Sequence, residues 1–151
     1  MEVFEILKDR LYQSGAPADA AEWSPILARK IDVVVDLFGT LDPGVPRQPD
    51  SILYIFWPIE DRPHLPDVQV MSILVDTIVR LIRAGHKVLV HCHKGRSRSG
   101  MINALVVRQL EQISGAEAVD LVRRQRPESL RNQVFATYVQ GLPPPTSAPP
   151  G

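Results

Sequence analysis

The sequence predicts an α/β fold in which helices flank a central, mostly parallel sheet. Apolar runs at 31–38, 52–57 and 87–91 are predicted strands, and the first, which is rich in valine, is typical of a strand buried on both faces. Helical patterns separate and follow these runs, and such alternation favours a parallel sheet. The 151 residues suit one domain with one core. We therefore expect a single functional site.

The other elements follow from local patterns. A short strand is predicted at 11–14, before Gly15, and Pro17 opens a helical stretch that ends near Lys30. From Asp67 to Ala84 apolar residues recur at helical spacing, which predicts a long helix. Three more helices are predicted, from about Gly100 to Gln112, from Gly115 to Arg126 and from Asn132 to Gln140. The predicted order is β, α, β, β, α, β, α, α, α.

Residues 142–151 are rich in proline and lack an apolar period. They are predicted to form a disordered tail behind a folded domain of residues 1–141.

Charge and hydropathy exclude several classes of partner. Seventeen basic residues balance seventeen acidic ones, so no overall field attracts nucleic acid or an anionic membrane. The first residues lack the basic and apolar regions of a signal peptide, and no run reaches the roughly 18 apolar residues that span a bilayer. We expect a soluble, cytoplasmic monomer with no nucleic-acid partner and no stable membrane insertion. Attraction for anions must then be local.

Cys92 is the only cysteine, which excludes an intramolecular disulfide and agrees with a reducing compartment. A lone cysteine is either a small buried hydrophobe or a reactive thiol. The neighbouring residues favour the thiol, because a predicted strand ends at Cys92, Gly95 and Arg98 follow it, and a helix starts just beyond. A turn from strand to helix points backbone N–H groups into one concavity, where the helix N-terminus adds about half a positive charge.

Residues 91–99 therefore predict a phosphate-binding loop, which we call the signature loop. Gly95 lets the backbone approach closely, and the planar guanidinium of Arg98 can grip two phosphate oxygens. Thiols near a helix N-terminus and near cations ionise more easily and become nucleophilic at neutral pH. His64 and His86 stand at no recognisable ligand spacing from the loop, so no metal site is predicted.

The signature loop resembles that of the protein tyrosine phosphatase superfamily, which reads His-Cys, five residues, Arg, then Ser or Thr. The likeness runs from residues 10–15 to 126–135 and fits the small, atypical dual-specificity group best, which implies the cysteine-phosphatase type of α/β fold. Low-molecular-weight tyrosine phosphatases carry their cysteine near the N-terminus, and rhodaneses have a shorter loop without this arginine, so neither fits. The fixed positions of the loop are met by His91, Cys92, Gly95, Arg98 and Ser99.

The resemblance implies a two-step phosphomonoesterase that uses no metal and no cofactor. Cys92 attacks phosphorus to form a phosphocysteine, which water then hydrolyses. In this family an aspartate on a mobile loop gives a proton to the leaving oxygen. We assign this role to Asp61, which lies about 30 residues before the cysteine, where the acid loop of the family lies. Glu60 and Asp67 are competitors, but Asp67 stands where the long helix needs an N-cap.

Supporting roles follow from the same resemblance. His91 organises the loop and supports the thiolate, and Ser99 helps the thiolate to leave in the second step or caps the helix. Asn132 either fixes nearby loops or is the N-cap of the last helix. A basic cluster at a helix end complements the helix dipole and needs no ligand, namely Arg123, Arg124 and Arg126.

Five residues of the loop are assigned to substrate binding, namely His93, Lys94, Gly95, Arg96 and Ser97. Three of them can be cationic, which favours a substrate with more than one anionic group, although such side chains can also point away and be merely solvated. Our first hypothesis is dephosphorylation of phosphotyrosine, phosphoserine or phosphothreonine in proteins. The Gly-Arg-Ser-Arg-Ser ending is similar to that of phosphatases of phospholipid headgroups. The alternatives are therefore a phosphoinositide or phosphatidylglycerophosphate phosphatase, and a phosphate-binding module without turnover.

Overall fold

The computed structural model describes residues 1–146, which form five strands and five α-helices. The strands are β1 (Val3–Leu7), β2 (Leu11–Ser14), β3 (Val33–Asp36), β4 (Leu53–Phe56) and β5 (Val88–His91). The α-helices are α1 (Ser24–Ala28), α2 (Val68–Arg83), α3 (Ser97–Glu111), α4 (Gly115–Gln125) and α5 (Gln133–Gln140), and a 3-10 helix at Ala20–Trp23 precedes α1. Residues 147–151 of the predicted tail lie outside the described residues, so its disorder stays a prediction.

The five strands form one sheet in the order β1-β2-β5-β3-β4. Neighbouring strands are parallel except β1 and β2, which are antiparallel. The predicted fold class, a mostly parallel sheet flanked by helices, is confirmed. The register sets His91 of β5 level with Ser14 of β2 and with Asp36 of β3. The segments that follow these three strands therefore leave the sheet at the same edge.

The sequence pattern does not predict the edge strand β1. Exposed Glu5 interrupts its apolar residues, and the turn of residues 8–10 that leads to β2 contains neither glycine nor proline. Asp9 takes the left-handed conformation in that turn, with φ 59°. The strand forms because β2 offers it a pairing edge, which is a tertiary effect without a local signal.

Apolar side chains cover both faces of the sheet. The larger cluster joins the sheet to α2, α3, α4 and α5, and the smaller one joins it to the 3-10 helix and α1. Val33 and Val35 belong to the larger cluster, and Val34 to the smaller one. All four residues of β3 are buried, which confirms the prediction that this strand is covered on both sides.

Two helix starts differ from the prediction. α3 begins at Ser97 rather than near Gly100, because the signature loop turns directly into the helix. Pro17 opens no helix, since the 3-10 helix starts only after Asp19, whose side chain caps it by accepting from the Glu22 N–H. Among residues 1–146, no helix has the length and apolar character needed to cross a membrane.

The chain after α5 returns to the folded domain. Leu142 packs against the larger apolar cluster, and its carbonyl accepts from the Gly115 N–H at 2.9 Å. The Arg108 Nε donates to the Pro143 carbonyl at 2.7 Å. The first residues beyond the predicted domain boundary thus contact α3 and α4.

Gly115 provides a test of how α4 packs on α5. A Cβ at this position would lie 1.6 Å from the Val139 carbonyl oxygen, so we expect Gly115→Ala to force the helices apart and to lower the free energy of unfolding by about 3 kcal/mol. Gly39→Ala is the matched control, because apart from its two chain neighbours no described residue lies within 4 Å of its added Cβ. Urea unfolding of both variants checks this, and equal stabilities would contradict the packing described.

Candidate functional site

The signature loop links β5 to α3 at the edge of the sheet where β2 and β3 also end. A pocket of about 260 Å³ opens there. The sequence assigned seven of its eight lining residues to the site, and Arg131 is the eighth. The lining residues are Asp61, Cys92, His93, Lys94, Arg96, Ser97, Arg98 and Arg131.

The carbonyl groups of the loop from His93 to Arg96 all accept hydrogen bonds from residues outside it. The His93 carbonyl accepts from the Ala16 N–H at 3.0 Å, and the Gly95 carbonyl accepts from the Gln13 side chain at 3.0 Å. The Arg96 carbonyl accepts from two N–H groups, those of Gly100 and Leu130, each at 3.1 Å. In a planar trans peptide the N–H points opposite to the C=O. The N–H groups that follow these carbonyls therefore turn towards the pocket, as an anion site requires.

Gly95 allows this turn. Its φ is +69°, in the left-handed region that favours glycine. A Cβ at Gly95 would lie 2.5 Å from the carbonyl carbon of Ser14 and 2.7 Å from the Gly15 nitrogen. The backbone of Gly95 thus packs directly against the backbone at the end of β2.

Cys92 lies on the floor of the pocket, with only 2% of its surface exposed. Its Sγ is 3.3 Å from the hydroxyl of Ser99, in the first turn of α3. The first N–H groups of a helix have no acceptor within the helix, and the helix dipole is positive at that end. The sulfur thus lies beside a hydroxyl group and at the loop that leads into the positive end of α3.

Arg98 spans the pocket wall. One terminal nitrogen donates to the Ile59 carbonyl at 3.1 Å, and the guanidinium carbon lies 5.7 Å from the centre of the Phe38 ring. Phe38 also stacks on His93, with ring centres 4.8 Å apart. The Arg98 Nε is buried, and no partner for it lies among residues 1–146. The guanidinium is thus held in place while donors remain for an anion.

Asp61 reaches the pocket from the loop of residues 57–67 between β4 and α2, which we call the β4–α2 loop. The Asn132 side-chain amide donates to the Asp61 carboxylate at 2.9 Å and to the Arg62 carbonyl at 2.8 Å. The side-chain oxygen of Asn132 accepts from the first N–H groups of α5, and its backbone N–H donates to Ser97 Oγ at 3.0 Å. Both roles predicted for Asn132, N-cap and loop support, are present.

The two competing acids lie elsewhere. Glu60 is exposed and pairs with Arg62 at 2.9 Å. Asp67 caps α2, as the sequence predicts, by accepting from the Val70 N–H at 3.1 Å. Neither residue lines the pocket, whereas Asp61 does.

His91 lies behind the pocket in a buried polar network. Its Nε2 is 2.6 Å from an oxygen of Asp42, and its Nδ1 is 3.8 Å from an oxygen of Asp36. Tyr54 donates to the other oxygen of Asp36 and accepts from the Asp42 N–H. Burial raises the pKa of Asp36, although the Tyr54 hydrogen bond opposes the shift.

Among residues 1–146, this network is also the only group of three side chains that could hold a metal ion. The ligand atoms of Asp36, Asp42 and His91 lie within 4.8 Å of one another. The ring of His91 is already placed between the two carboxylates, and each carboxylate accepts a hydrogen bond or pairs with the ring. A metal ion would have to displace these contacts. The arrangement instead fixes the ring orientation of the residue next to Cys92.

Several residues of the site carry no sequence signal. Arg126, predicted only to complement a helix dipole, donates to the carbonyls of Gly95 and Lys94 at 3.3 and 3.4 Å. Asp42 and Arg131 stand in loops with no recognisable motif, and only the fold brings them to the signature loop.

Comparisons with known proteins agree on one family. The family model described as "Dual specificity phosphatase, catalytic domain" matches residues 12–140. The mouse (Mus musculus) protein named dual specificity protein phosphatase 12 is 28% identical over 127 residues, which are 83% of this chain and 37% of that protein. The rat (Rattus norvegicus) protein of the same name gives the same values. This chain therefore spans well under half the length of these relatives.

Solved structures show the same architecture. Human DUSP28 has a TM-score of 0.76 at 22% identity, covering 91% of this chain and 90% of that chain. DUSP15 has a TM-score of 0.77 at 22% identity, covering 91% of this chain and 85% of that chain. Tk-PTP in the active form has a TM-score of 0.74 at 27% identity, covering 91% of this chain and 95% of that chain. The similarities to DUSP28 and DUSP15, both at 22% identity, bear on the fold alone.

The two roles of Asn132 can be separated by mutation. Serine caps helices as well as asparagine does but lacks the amide donor. We expect Asn132→Ser to leave the unfolding free energy almost unchanged while the amides of residues 60–62 exchange with deuterium about fivefold faster, because the β4–α2 loop loses two hydrogen bonds. Asn132→Ala, which loses the cap as well, should cost about 1 kcal/mol. Unchanged exchange in Asn132→Ser would show that the amide does not hold the loop.

Proposed function

The chain belongs to the family of dual specificity phosphatase catalytic domains, and from this premise we propose that it hydrolyses phosphate monoesters on proteins through a phosphocysteine on Cys92. The observation that carries the proposal is the meeting of Cys92, Arg98 and Asp61 in one pocket, although Asp61 belongs to a different loop. Nucleophile, anion clamp and proton donor are the three groups that metal-free transfer of a phosphoryl group requires.

Substrate binding follows from the loop geometry. The inward N–H groups of the signature loop and the guanidinium of Arg98 hold the oxygens of the phosphate, which sets phosphorus over Cys92 Sγ. As the phosphoryl group flattens during transfer, its charge spreads over the equatorial oxygens that these donors face. Gly95 contributes its backbone to this binding site. Ser97 lines the pocket, and its hydroxyl oxygen accepts a hydrogen bond from the backbone N–H of Asn132.

The first chemical step forms a sulfur–phosphorus bond and breaks the bond from phosphorus to the leaving oxygen. The Cys92 thiolate supplies the electron pair, and the leaving oxygen takes a proton from the Asp61 carboxyl group. Asn132, which donates to one oxygen of Asp61, orients the carboxyl group for this transfer. The step releases the dephosphorylated side chain and leaves phosphocysteine.

The second step regenerates the thiolate and releases inorganic phosphate. Asp61, now a carboxylate, accepts a proton from water as the water oxygen bonds to phosphorus and the sulfur leaves. Ser99 donates a hydrogen bond to the departing sulfur, a role supported by the 3.3 Å contact. His91 supports the loop from behind through its contact with Asp42.

A lipid phosphatase is a second candidate, favoured by the cationic pocket lining. Lys94, Arg96, Arg98 and Arg131 all face the cavity, and Asp61 is its one acidic lining residue. Phosphate release from phosphopeptides, compared with release from phosphoinositides and phosphatidylglycerophosphate, separates the two candidates.

Cys92 provides the first test of the mechanism. We expect Cys92→Ser to reduce phosphate release from an aryl phosphate and from phosphotyrosine peptides by at least about a thousandfold, because a serine hydroxyl ionises far less readily than a thiol. Acid quenching of the wild type during turnover should trap one phosphate per chain, seen as a mass increase on the single cysteine. Turnover that survives in Cys92→Ser would overturn the proposal.

Asp61 provides the second test. We expect Asp61→Asn to slow turnover about a hundredfold or more with phosphoserine peptides, whose leaving alkoxide needs a proton, and far less with an activated aryl phosphate. Asp67→Asn is the matched control, because asparagine still caps α2 and the residue does not line the pocket. If Asp67→Asn shows the dependence on the leaving group and Asp61→Asn does not, the acid has been assigned to the wrong residue.

A further inference from the structure

The two edges of the sheet differ in how well they are protected against pairing with another strand. The outer strands are β1 and β4. β1 carries exposed Glu5, and its pairing with β2 is irregular between Glu5 and Leu7. Charged side chains and bulges are common means by which proteins keep an edge strand from pairing with another chain. The edge at β1 is therefore poorly suited to accept a further strand.

The edge at β4 has neither of these protections. No residue from 51 to 59 is charged, and β4 pairs with β3 in an unbroken register from Leu53 to Phe56. Two large apolar side chains on this strand are exposed, that of Leu53 at 48% and that of Phe56 at 40%. Exposed apolar side chains on an unprotected edge are typical of a surface that binds another strand.

The backbone groups of β4 alternate between β3 and the outside of the sheet. The N–H groups of Leu53 and Trp57 both donate at 2.9 Å to carbonyl groups on the side of β3. Successive residues of a strand point their N–H and C=O groups in opposite directions, so those of Tyr54 and Phe56 point away from β3. Within residues 1–146, no strand pairs with this outer side of β4. Tyr54 and Phe56 thus offer donors and acceptors to another chain.

The outer side of β4 is complementary to itself. In an antiparallel pair, two facing residues can exchange both of their N–H···O bonds. When two copies of β4 run antiparallel with Ile55 on a twofold axis, Tyr54 of each copy faces Phe56 of the other, and all their outward groups are paired. Ile55 then faces its own counterpart, and Leu53 faces Trp57. Each facing pair is apolar or aromatic, which favours cross-strand contact, and no like charges meet.

In place of the monomer expected from the sequence, we propose that two copies of this chain associate through β4 into one continuous sheet with a twofold axis at Ile55. Antiparallel pairing points the two β4 strands in opposite directions. The signature loops therefore lie at opposite ends of the dimer, and both pockets remain open. The association concerns a surface outside the pocket, so it does not depend on the proposed function.

The contact between the copies is short. Asp50 has a left-handed backbone, with φ 60°, and Pro58 follows the strand, so the chain leaves the edge on both sides. A standard interface contains about 20–30 residues on each side, many more than this edge provides. We therefore expect a dissociation constant on the order of 100 µM.

Sedimentation equilibrium of the full chain from about 5 µM to about 1 mM measures this association. We expect the average mass to rise from that of one chain towards that of two. Phe56→Pro should weaken the association at least about tenfold, because proline removes an outward N–H and an exposed side chain without removing a bond to β3. Ile73→Lys is the matched control, because Ile73 is 61% exposed but belongs to α2 and not to the edge.

Oxidative cross-linking tests the register on a Cys92→Ser background, in which no native cysteine remains. Ile55→Cys would place two thiols on facing residues whose Cα atoms lie about 4.5 Å apart, within the range for a disulfide. Leu53→Cys is the matched control, because its counterpart would lie four residues along the partner strand, about 14 Å away. We expect Ile55→Cys to form a disulfide-linked dimer at least about ten times faster than Leu53→Cys.

Several outcomes would overturn the proposal. One is the mass of a single chain at every concentration, and another is an equal loss of association in Phe56→Pro and Ile73→Lys. Equal rates of cross-linking for Ile55→Cys and Leu53→Cys would contradict the twofold register. Protection of the Tyr54 and Phe56 amides from hydrogen exchange by an added apolar peptide, in a chain that stays monomeric, would identify a foreign strand as the occupant of this edge.

Discussion

The site depends on a constraint on the backbone of the signature loop. For its N–H groups to face an anion, its carbonyl groups must face the protein, and each carbonyl from His93 to Arg96 needs a donor there. A buried carbonyl without a donor costs about 1–3 kcal/mol. The donors come from both ends of the sequence, from β2 and the residues after it, and from the segment between α4 and α5. The rest of the chain therefore determines the shape of the proposed anion site.

This constraint accounts for polar residues in the core. Gln13 is fully buried, and its amide donates to the Gly95 carbonyl and to Ser129 Oγ, while Asn103 donates to its oxygen at 3.0 Å. Burying a side-chain amide is unfavourable unless its groups are paired. Here the pairing connects β2 and α3 to the loop. On the other side of the loop, His91 is held by Asp42 in the same manner. Two buried polar networks thus support the segment that contains Cys92.

The sequence predicted the elements whose signals are local. Apolar runs that alternate with helical patterns predicted the parallel sheet, and the spacing from His91 to Ser99 identified the signature loop. The proline before Asp67 indicated that this residue caps a helix and is not the catalytic acid. The contact of Arg126 with the loop was not predicted, because it depends on the turn after α4, which brings the arginine to the Gly95 carbonyl. The strand β1 and the place of Arg131 in the pocket were not predicted, for the same reason. Their positions depend on contacts between residues distant in sequence, which local periodicity does not record.

The geometry of Arg98 shows how the β4–α2 loop and an anion can use the same guanidinium. The Ile59 carbonyl accepts from one terminal nitrogen, whereas the buried Nε keeps its proton free of protein acceptors in the described chain. A bidentate pair with phosphate uses two adjacent N–H groups of the fork, so the remaining side of the guanidinium suffices for it. Anion binding that fixes Arg98 therefore also fixes Ile59, two residues from Asp61. Asn132 holds Asp61 itself, so the loop that carries the proposed proton donor is attached both to Arg98 and to the N-cap of α5.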